Sequence, residues 1–198
     1  MANEHTVTVE TADPDDRRRL VDTLTLAFGS DPLMRWSFPS ADDYLRWFPE
    51  FVACYAGAAF EEGTAYHVRD GAGAALWLPP ETEPDADDLV ELLQTALPED
   101  RRTDAWTAFE RIERRSPDEP HWYLPLIGVE PMHQGNGLGT ALVSDAVERL
   151  DRNGDVAYLE SANPANLSLY LRFGFELLEP IRVGSVPPLF PMIREPTP

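Results

Sequence analysis

Between Leu126 and Phe175 the sequence carries two units whose order and spacing leave few folds open. The first runs Leu126-Ile127-Gly128-Val129-Glu130-Pro131-Met132-His133-Gln134-Gly135-Asn136-Gly137-Leu138-Gly139-Thr140. It reads as an apolar strand, a short loop, a glycine-rich turn and the start of a helix. The second runs Tyr158-Leu159-Glu160-Ser161-Ala162-Asn163-Pro164-Ala165-Asn166-Leu167-Ser168-Leu169-Tyr170-Leu171-Arg172-Phe173-Gly174-Phe175. It reads as another strand, a capped helix carrying a tyrosine, and a Gly-Phe exit. Alternating strands and helices of this length call for an α/β arrangement with helices packed on a sheet.

Gly135, Gly137 and Gly139 draw backbone amides together where a helix begins, and Leu138, Leu142, Ala146 and Leu150 give that helix a buried stripe. Unpaired N–H groups and the helix dipole at such a start favour phosphate. A site of this kind needs no lysine, and the chain contains none. The spacing is neither the Gly-Lys-Ser/Thr of a P-loop nor the Gly-x-Gly-x-x-Gly of dinucleotide folds. A glycine loop shaped only for tight packing is the competing explanation, and on this turn alone the two stand level.

Asn163-Pro164 is a strong helix start, since asparagine caps free N–H groups and proline suits the first turn. Leu167, Tyr170 and Leu171 then share one helical face, and Gly174 ends the helix. Tyr170 is either a core aromatic or a functional phenol. A phenol of pKa about 10 can give a proton to a departing thiolate of similar basicity.

These two units resemble the acyl-CoA-binding core of the GCN5-related N-acetyltransferases. Gln134-x-x-Gly137-x-Gly139 is similar to that superfamily's pyrophosphate signature, and Asn163…Leu169-Tyr170…Gly174-Phe175 to its downstream helix. Asn166 stands where the superfamily usually has alanine. Shorter segments resemble the branch that includes puromycin acetyltransferase-like proteins: Ala27-Phe28…Asp31-Pro32…Trp36-Ser37-Phe38-Pro39, Ala74-Ala75-Leu76-Trp77-Leu78-Pro79, Leu126-Ile127-Gly128-Val129 and Tyr158-Leu159-Glu160. The specific likeness covers the C-terminal half.

The resemblance implies one acetyltransferase domain, α/β (α+β), with a mixed central sheet of six to seven strands and helices on both faces. The sheet should splay between the strand ending at Val129 and the strand ending at Glu160, with the pantetheine arm of acetyl-CoA in the gap. Backbone groups of Ile127, Gly128 and Val129 would hold that arm. Amides of Gln134, Gly135, Asn136, Gly137, Leu138, Gly139 and Thr140 would grip the pyrophosphate. Asn163 and Asn166 would touch the cofactor, although capping alone also accounts for Asn163. Tyr170 would protonate the leaving thiolate, and no metal is implied. The reaction would be direct attack of a neutral amine on acetyl-CoA in a ternary complex, so a group must remove the ammonium proton. Glu160 is the first candidate, with Tyr123 and His121 on one strand face behind it; a strand-end carboxylate or an edge aromatic is equally compatible with a structural role.

Ahead of the core, Phe28, Asp31, Trp36, Phe38, Trp47 and Tyr55 make one short region strongly aromatic. Some belong to the core. If several line a pocket, the acceptor carries a ring or apolar body, with Phe28, Trp36 and Phe38 around it and Asp31 available for its charge. Cys54, on a well-patterned apolar helix, reads as core.

Composition narrows the partners. There are 35 acidic residues against 16 basic ones, a formal charge of −19, which disfavours nucleic acid and anionic membranes because both need a basic face. Such a charge self-repels in dilute buffer and is tolerable where salt screens it. A salt-rich cytoplasm is therefore one expectation, and a merely acidic protein from an arginine-favouring genome is the other. A single cysteine excludes an internal disulfide and a multi-cysteine zinc site. No apolar run approaches membrane-spanning length, and Met1-Ala2-Asn3-Glu4-His5 lacks the pattern of a secretion signal, so the expected setting is cytoplasmic.

In chain order, Val7 and Val9 predict a strand over His5–Glu10. Leu20, Leu24 and Phe28 predict a helix over Asp13–Phe28, and Gly29-Ser30-Asp31-Pro32 breaks the chain. A second helix is expected over Ser40–Phe60, with Leu45, Phe48, Val52, Tyr55 and Ala59 on one side. Strands around Thr64–Val68 and Ala72–Leu78 flank Asp70-Gly71, a hairpin signal. Asp87–Arg115 reads as one or two helices broken near Pro98, and Phe175–Arg194 as two closing strands. The whole, 1–198, is one domain: acceptor-side helices in 1–120, the acyl-CoA core in 121–180, a closing strand and tail in 181–198. The acceptor is expected to be a small amine or a peptide N-terminus, and a homodimer is compatible with the resemblance. A non-catalytic acyl-CoA-binding module is the alternative, and a nucleotide-binding protein is disfavoured by motif spacing.

Overall fold

The apolar runs become seven strands, which in the computed structural model, describing residues 7–197, are β1 (Val9–Thr11), β2 (Ala65–Val68), β3 (Gly73–Leu78), β4 (Trp122–Val129), β5 (Ala157–Ser161), β6 (Glu176–Leu177) and β7 (Phe190–Arg194). They form one sheet in the order β1-β2-β3-β4-β5-β7-β6. All neighbours are antiparallel except β4 and β5, which run parallel. His5 and Thr6 of the expected first strand lie outside the described residues.

The helices are α1 (Arg17–Ala27), α2 (Pro32–Ser37), α3 (Ala41–Ala56), α4 (Ala58–Glu61), α5 (Ala86–Ala96), α6 (Arg102–Glu113), α7 (Leu138–Asn153) and α8 (Leu167–Arg172). Among the described residues none is long and apolar enough to cross a membrane. β3 is buried at every position because both its faces are covered. Ala74, Leu76 and Leu78 pack in the core that holds α1, α3 and α5, while Ala75 and Trp77 pack in the core that holds α7.

Several expectations needed correction. The break expected at Gly29-Ser30-Asp31-Pro32 separates α1 from α2, but its second half also starts α2 at once, with Asp31 Oδ1 accepting from Leu33 N at 2.9 Å and Met34 N at 3.1 Å, and Pro32 in the first turn. The helix expected over Ser40–Phe60 divides at Gly57 into α3 and α4, and Leu45 lies exposed while Tyr44 and Phe48 take the buried face. The β2–β3 turn centres on Arg69 and Asp70, both at positive φ, one residue before the Asp-Gly pair. Leu171 is exposed, so the apolar face of α8 narrows to Tyr170 with the half-buried Leu167.

β4 positions the site. Its register with β3 shifts between Leu76 and Leu78, opposite Pro125. Proline has no N–H to give a ladder, so it belongs at such a bulge. The bulge reverses the in–out alternation: Trp122 and Leu124 share a core with Ile127 and Val129, whereas Tyr123 and Leu126 face the opposite one. On its other side β4 pairs with β5 only at Trp122–Ala157 and Tyr123–Tyr158. Beyond those pairs the strands part, while β5 stays paired with β7 from Ala157–Arg194 to Ser161–Phe190. The sheet therefore splays between Val129 and Glu160.

Candidate active site

The glycine turn lies at one mouth of the splay. Gly135 and Gly137 sit at φ 76° and 78°, and a Cβ at either would meet nothing within 4 Å. Both positions suit glycine for backbone reasons, with open space in front of them. The backbone amides of residues 135–140 donate no hydrogen bond among the described residues; the first helical bond runs from Ala141 N to Gly137 O at 2.9 Å. The start of α7 thus presents a row of free amides to solvent. Gln134 is turned back, its Nε2 donating to Val129 O at 3.1 Å, and Asn136 Nδ2 donates to His133 O at 3.0 Å. Leu138 is core, a Cβ added at Gly139 would stand in ordinary contact distance of Val129 and Leu169, and Thr140 is exposed on the first turn of α7.

Deeper in the gap, Tyr170 is buried, packed edge-on against Phe175 at 5.9 Å, and its hydroxyl has no partner among the described residues. Burial and then the nearby Asp31 carboxylate hold its phenol above the ordinary range, so it stays protonated. Asn163 Oδ1 accepts from Ala165 N at 3.0 Å, the capping role, whereas Asn166 lines the cavity beside Tyr170. Ile127 lines the same cavity. Gly128 has a packing reason of its own, since a Cβ there would come within 2.6 Å of Ala27 Cβ on α1.

The aromatic N-terminal segment divides. Phe28, Asp31, Trp36 and Phe38 all line this cavity. Phe28 also stacks on Phe48 at 5.5 Å, and Phe38 is 1% exposed, a wall made of core. Trp36 Nε1 donates to Ser185 Oγ at 3.3 Å. Trp47 lies elsewhere, under Arg46. Cys54 is half-buried against the core, and burial pushes its thiol up. Asp31 is half-buried with a raised carboxyl pKa, because desolvation outweighs the two backbone hydrogen bonds it accepts.

Glu160 is the penultimate residue of β5, two positions past Tyr158, the last residue at which β4 pairs with that strand. Tyr123 Oη donates to Glu160 Oε2 at 2.7 Å, and Tyr55 of α3 hydrogen-bonds to Tyr123 in turn. Glu160 Oε1 is buried without a partner. Desolvation pushes the carboxyl up to about 7, against the hydrogen bond from Tyr123 and the nearby Tyr158 hydroxyl. Tyr123 and Tyr55, desolvated beside this carboxylate, are raised and stay neutral. His121 does not reach the carboxylate: its Nε2 faces Ser116 Oγ at 3.1 Å and its Nδ1 faces Glu119 O at 2.8 Å. Sequence reasoning missed Tyr158, although the two-residue period of a strand puts it on the same face as Glu160.

Glu160, Tyr123 and Tyr55 line two cavities at once. One, mostly apolar, holds Tyr170, Asn166 and the N-terminal aromatics. The other opens between α6 and the loop ahead of α5. A carboxylate titrating near neutrality thus stands where two approaches meet, with a protonated phenol along one of them. That arrangement can take a proton from one reactant and give one to another.

Residues 30–175 match the model of the acetyltransferase (GNAT) family. The chain belongs to that family and is an N-acetyltransferase. Among solved structures it is similar to one described as histone acetyltransferase HPA2 and related acetyltransferase from Corynebacterium glutamicum, with 26% identity over 97% of each chain and a TM-score of 0.67. Arylalkylamine N-acetyltransferase 2 from Aedes aegypti shares the fold at TM-score 0.69, with 15% identity over 98% of this chain and 100% of that one. A Drosophila melanogaster polyamine N-acetyltransferase that forms N-acetylagmatine shares it at 0.66, with 15% identity over 96% and 99%.

Proposed function

We propose that the protein transfers the acetyl group of acetyl-CoA to a primary amine of a small molecule, by direct attack within a ternary complex. The observation that carries this reading is Glu160: a buried carboxylate with a free oxygen and a pKa near 7, at the junction of two cavities. A module that only bound acyl-CoA would have no use for so costly a group. Acetyl-CoA supplies the acyl group as a thioester; every other part is the chain's own.

In this reading the free amides of residues 135–140 and the dipole of α7 hold the pyrophosphate, which suits a chain without lysine. Ile127 to Val129 and Asn166 flank the pantetheine arm in the splay. Glu160 takes the proton of the incoming ammonium, directly or through water, and the neutral amine forms the amide bond. Tyr170 gives its proton to the thiolate that departs.

Thermal unfolding with acetyl-CoA, CoA, ATP and NAD in separate samples tests the donor. Ligand at a hundred times its Kd should stabilise the fold by about 2.7 kcal/mol. Acetyl-CoA and CoA are expected to raise Tm and the other two not; equal stabilisation by ATP would refute the assignment of the glycine turn to CoA. Gly137→Val puts a β-branched residue at φ 78°. It should destabilise the protein by about 1–2 kcal/mol and weaken acetyl-CoA binding more than tenfold. Calorimetric titration checks the second number.

A further inference from the structure

Resting on the acetyltransferase reading, we infer that the acceptor is an amine with a second positive charge, a diamine or guanidino-amine, which enters through the cleft between α6 and the loop before α5. The walls of that cleft carry Glu81, Glu83, Glu110, Glu113, Asp118 and Glu119, and among the described residues no arginine lines it. Of the arginines nearby, Arg114 pairs with Glu110 at 3.4 Å and Arg115 with Glu179 at 2.5 Å, which leaves the other five wall carboxylates unneutralised by them.

An acidic wall alone means little in a chain of charge −19. The floor of the cleft is the independent observation. Tyr158 lines it at 1% exposure, and its hydroxyl is buried without a hydrogen-bond partner. Glu160, on the same strand face, lines it too, and its Oε1 is equally unpartnered. A protonated phenol that can donate or accept and a carboxylate oxygen thus both lack a hydrogen-bond partner among the described residues. They leave acceptor capacity unspent at the bottom of the cleft for a donor that arrives with the substrate. An ammonium, with three N–H donors and no acceptor, satisfies both.

The distribution gives each end of the acceptor a partner. The reacting ammonium sits on Tyr158 and Glu160, where its proton is removed. A remote cation stays among the wall carboxylates, which are solvated and hold it without a full desolvation penalty. Trp106, Phe109 and Tyr123 supply apolar and aromatic surface between the two ends, suited to a methylene chain or a cation over a ring.

The test compares kcat/KM for 1,4-diaminobutane and butylamine, measured by thiol release from acetyl-CoA at one fixed salt concentration. The diamine is expected to be at least tenfold better, and rising salt should erode the advantage. In the combined variant Glu83→Gln/Glu113→Gln/Asp118→Asn the ratio should fall toward one. A control of equal charge change away from the cleft, Asp22→Asn/Glu62→Gln/Glu148→Gln, should keep it, which separates the cleft from the field of the whole protein. Equal turnover of both amines by the wild-type protein, or equal loss in both variants, overturns the inference and leaves the acetyltransferase reading intact. Absence of thiol release with every amine overturns both.

Discussion

Replacing Glu160 with Gln is expected to lower kcat by about 10²–10³, the usual range for losing a positioned general base. The pH profile should change with it. Only the carboxylate accepts a proton, and its pKa is near 7, so wild-type kcat/KM should rise with pH through a midpoint near 7. The variant should lose that limb. Stability should move the other way. Burial raises this carboxyl from its ordinary 4.5 to about 7, so the folded state favours the protonated form. Its contribution is intact below pH 4.5 and lost as pH rises through 7; at pH 8 the wild-type protein carries a penalty of about 3 kcal/mol. Glu160→Gln should therefore unfold at higher temperature than wild type at pH 8, with the gain vanishing toward pH 4. A merely structural Glu160 would leave kcat nearly unchanged.

Tyr170→Phe is expected to lower kcat by roughly 10- to 100-fold while the Kd for acetyl-CoA stays within about twofold. The hydroxyl makes no hydrogen bond among the described residues, and the ring packs against Phe175, so phenylalanine keeps the packing and loses the proton donor. Because its phenol is raised, wild-type Tyr170 stays protonated across the neutral range and adds no alkaline limb there. Loss of acetyl-CoA affinity in proportion to rate would assign Tyr170 to binding. An unchanged rate would remove it as the acid.

Much of the donor side was legible because its physics is local. Free amides at a glycine-bounded helix start, an Asn-Pro cap and a tyrosine three residues into a helix are all stated by neighbours in sequence. The tyrosine–carboxylate chain is not local. Tyr55 on α3, Tyr123 on β4 and Glu160 on β5 meet only once the sheet has formed and splayed. The parity of β4 was illegible for a related reason: the bulge at Pro125 reverses which face each residue sees, and strict alternation cannot anticipate it. Asp31 shows one residue type with two readings. Asp-Pro after Gly-Ser looks like a break, yet the same pair is a good cap and first turn, and one oxygen of the carboxylate, Oδ1, takes the Leu33 and Met34 amides while the residue still lines the cavity.

The central claim is that two approaches meet at Glu160 and exchange an acetyl group there. Its most direct test is simultaneous measurement of thiol release and acetylated amine, by thiol titration and mass spectrometry, with acetyl-CoA and a panel of amines in high salt. The expected result is one thiol per acetylated amine, with no thiol above background when the amine is omitted. Tight acetyl-CoA binding accompanied by no amine-dependent thiol release across the panel would contradict it.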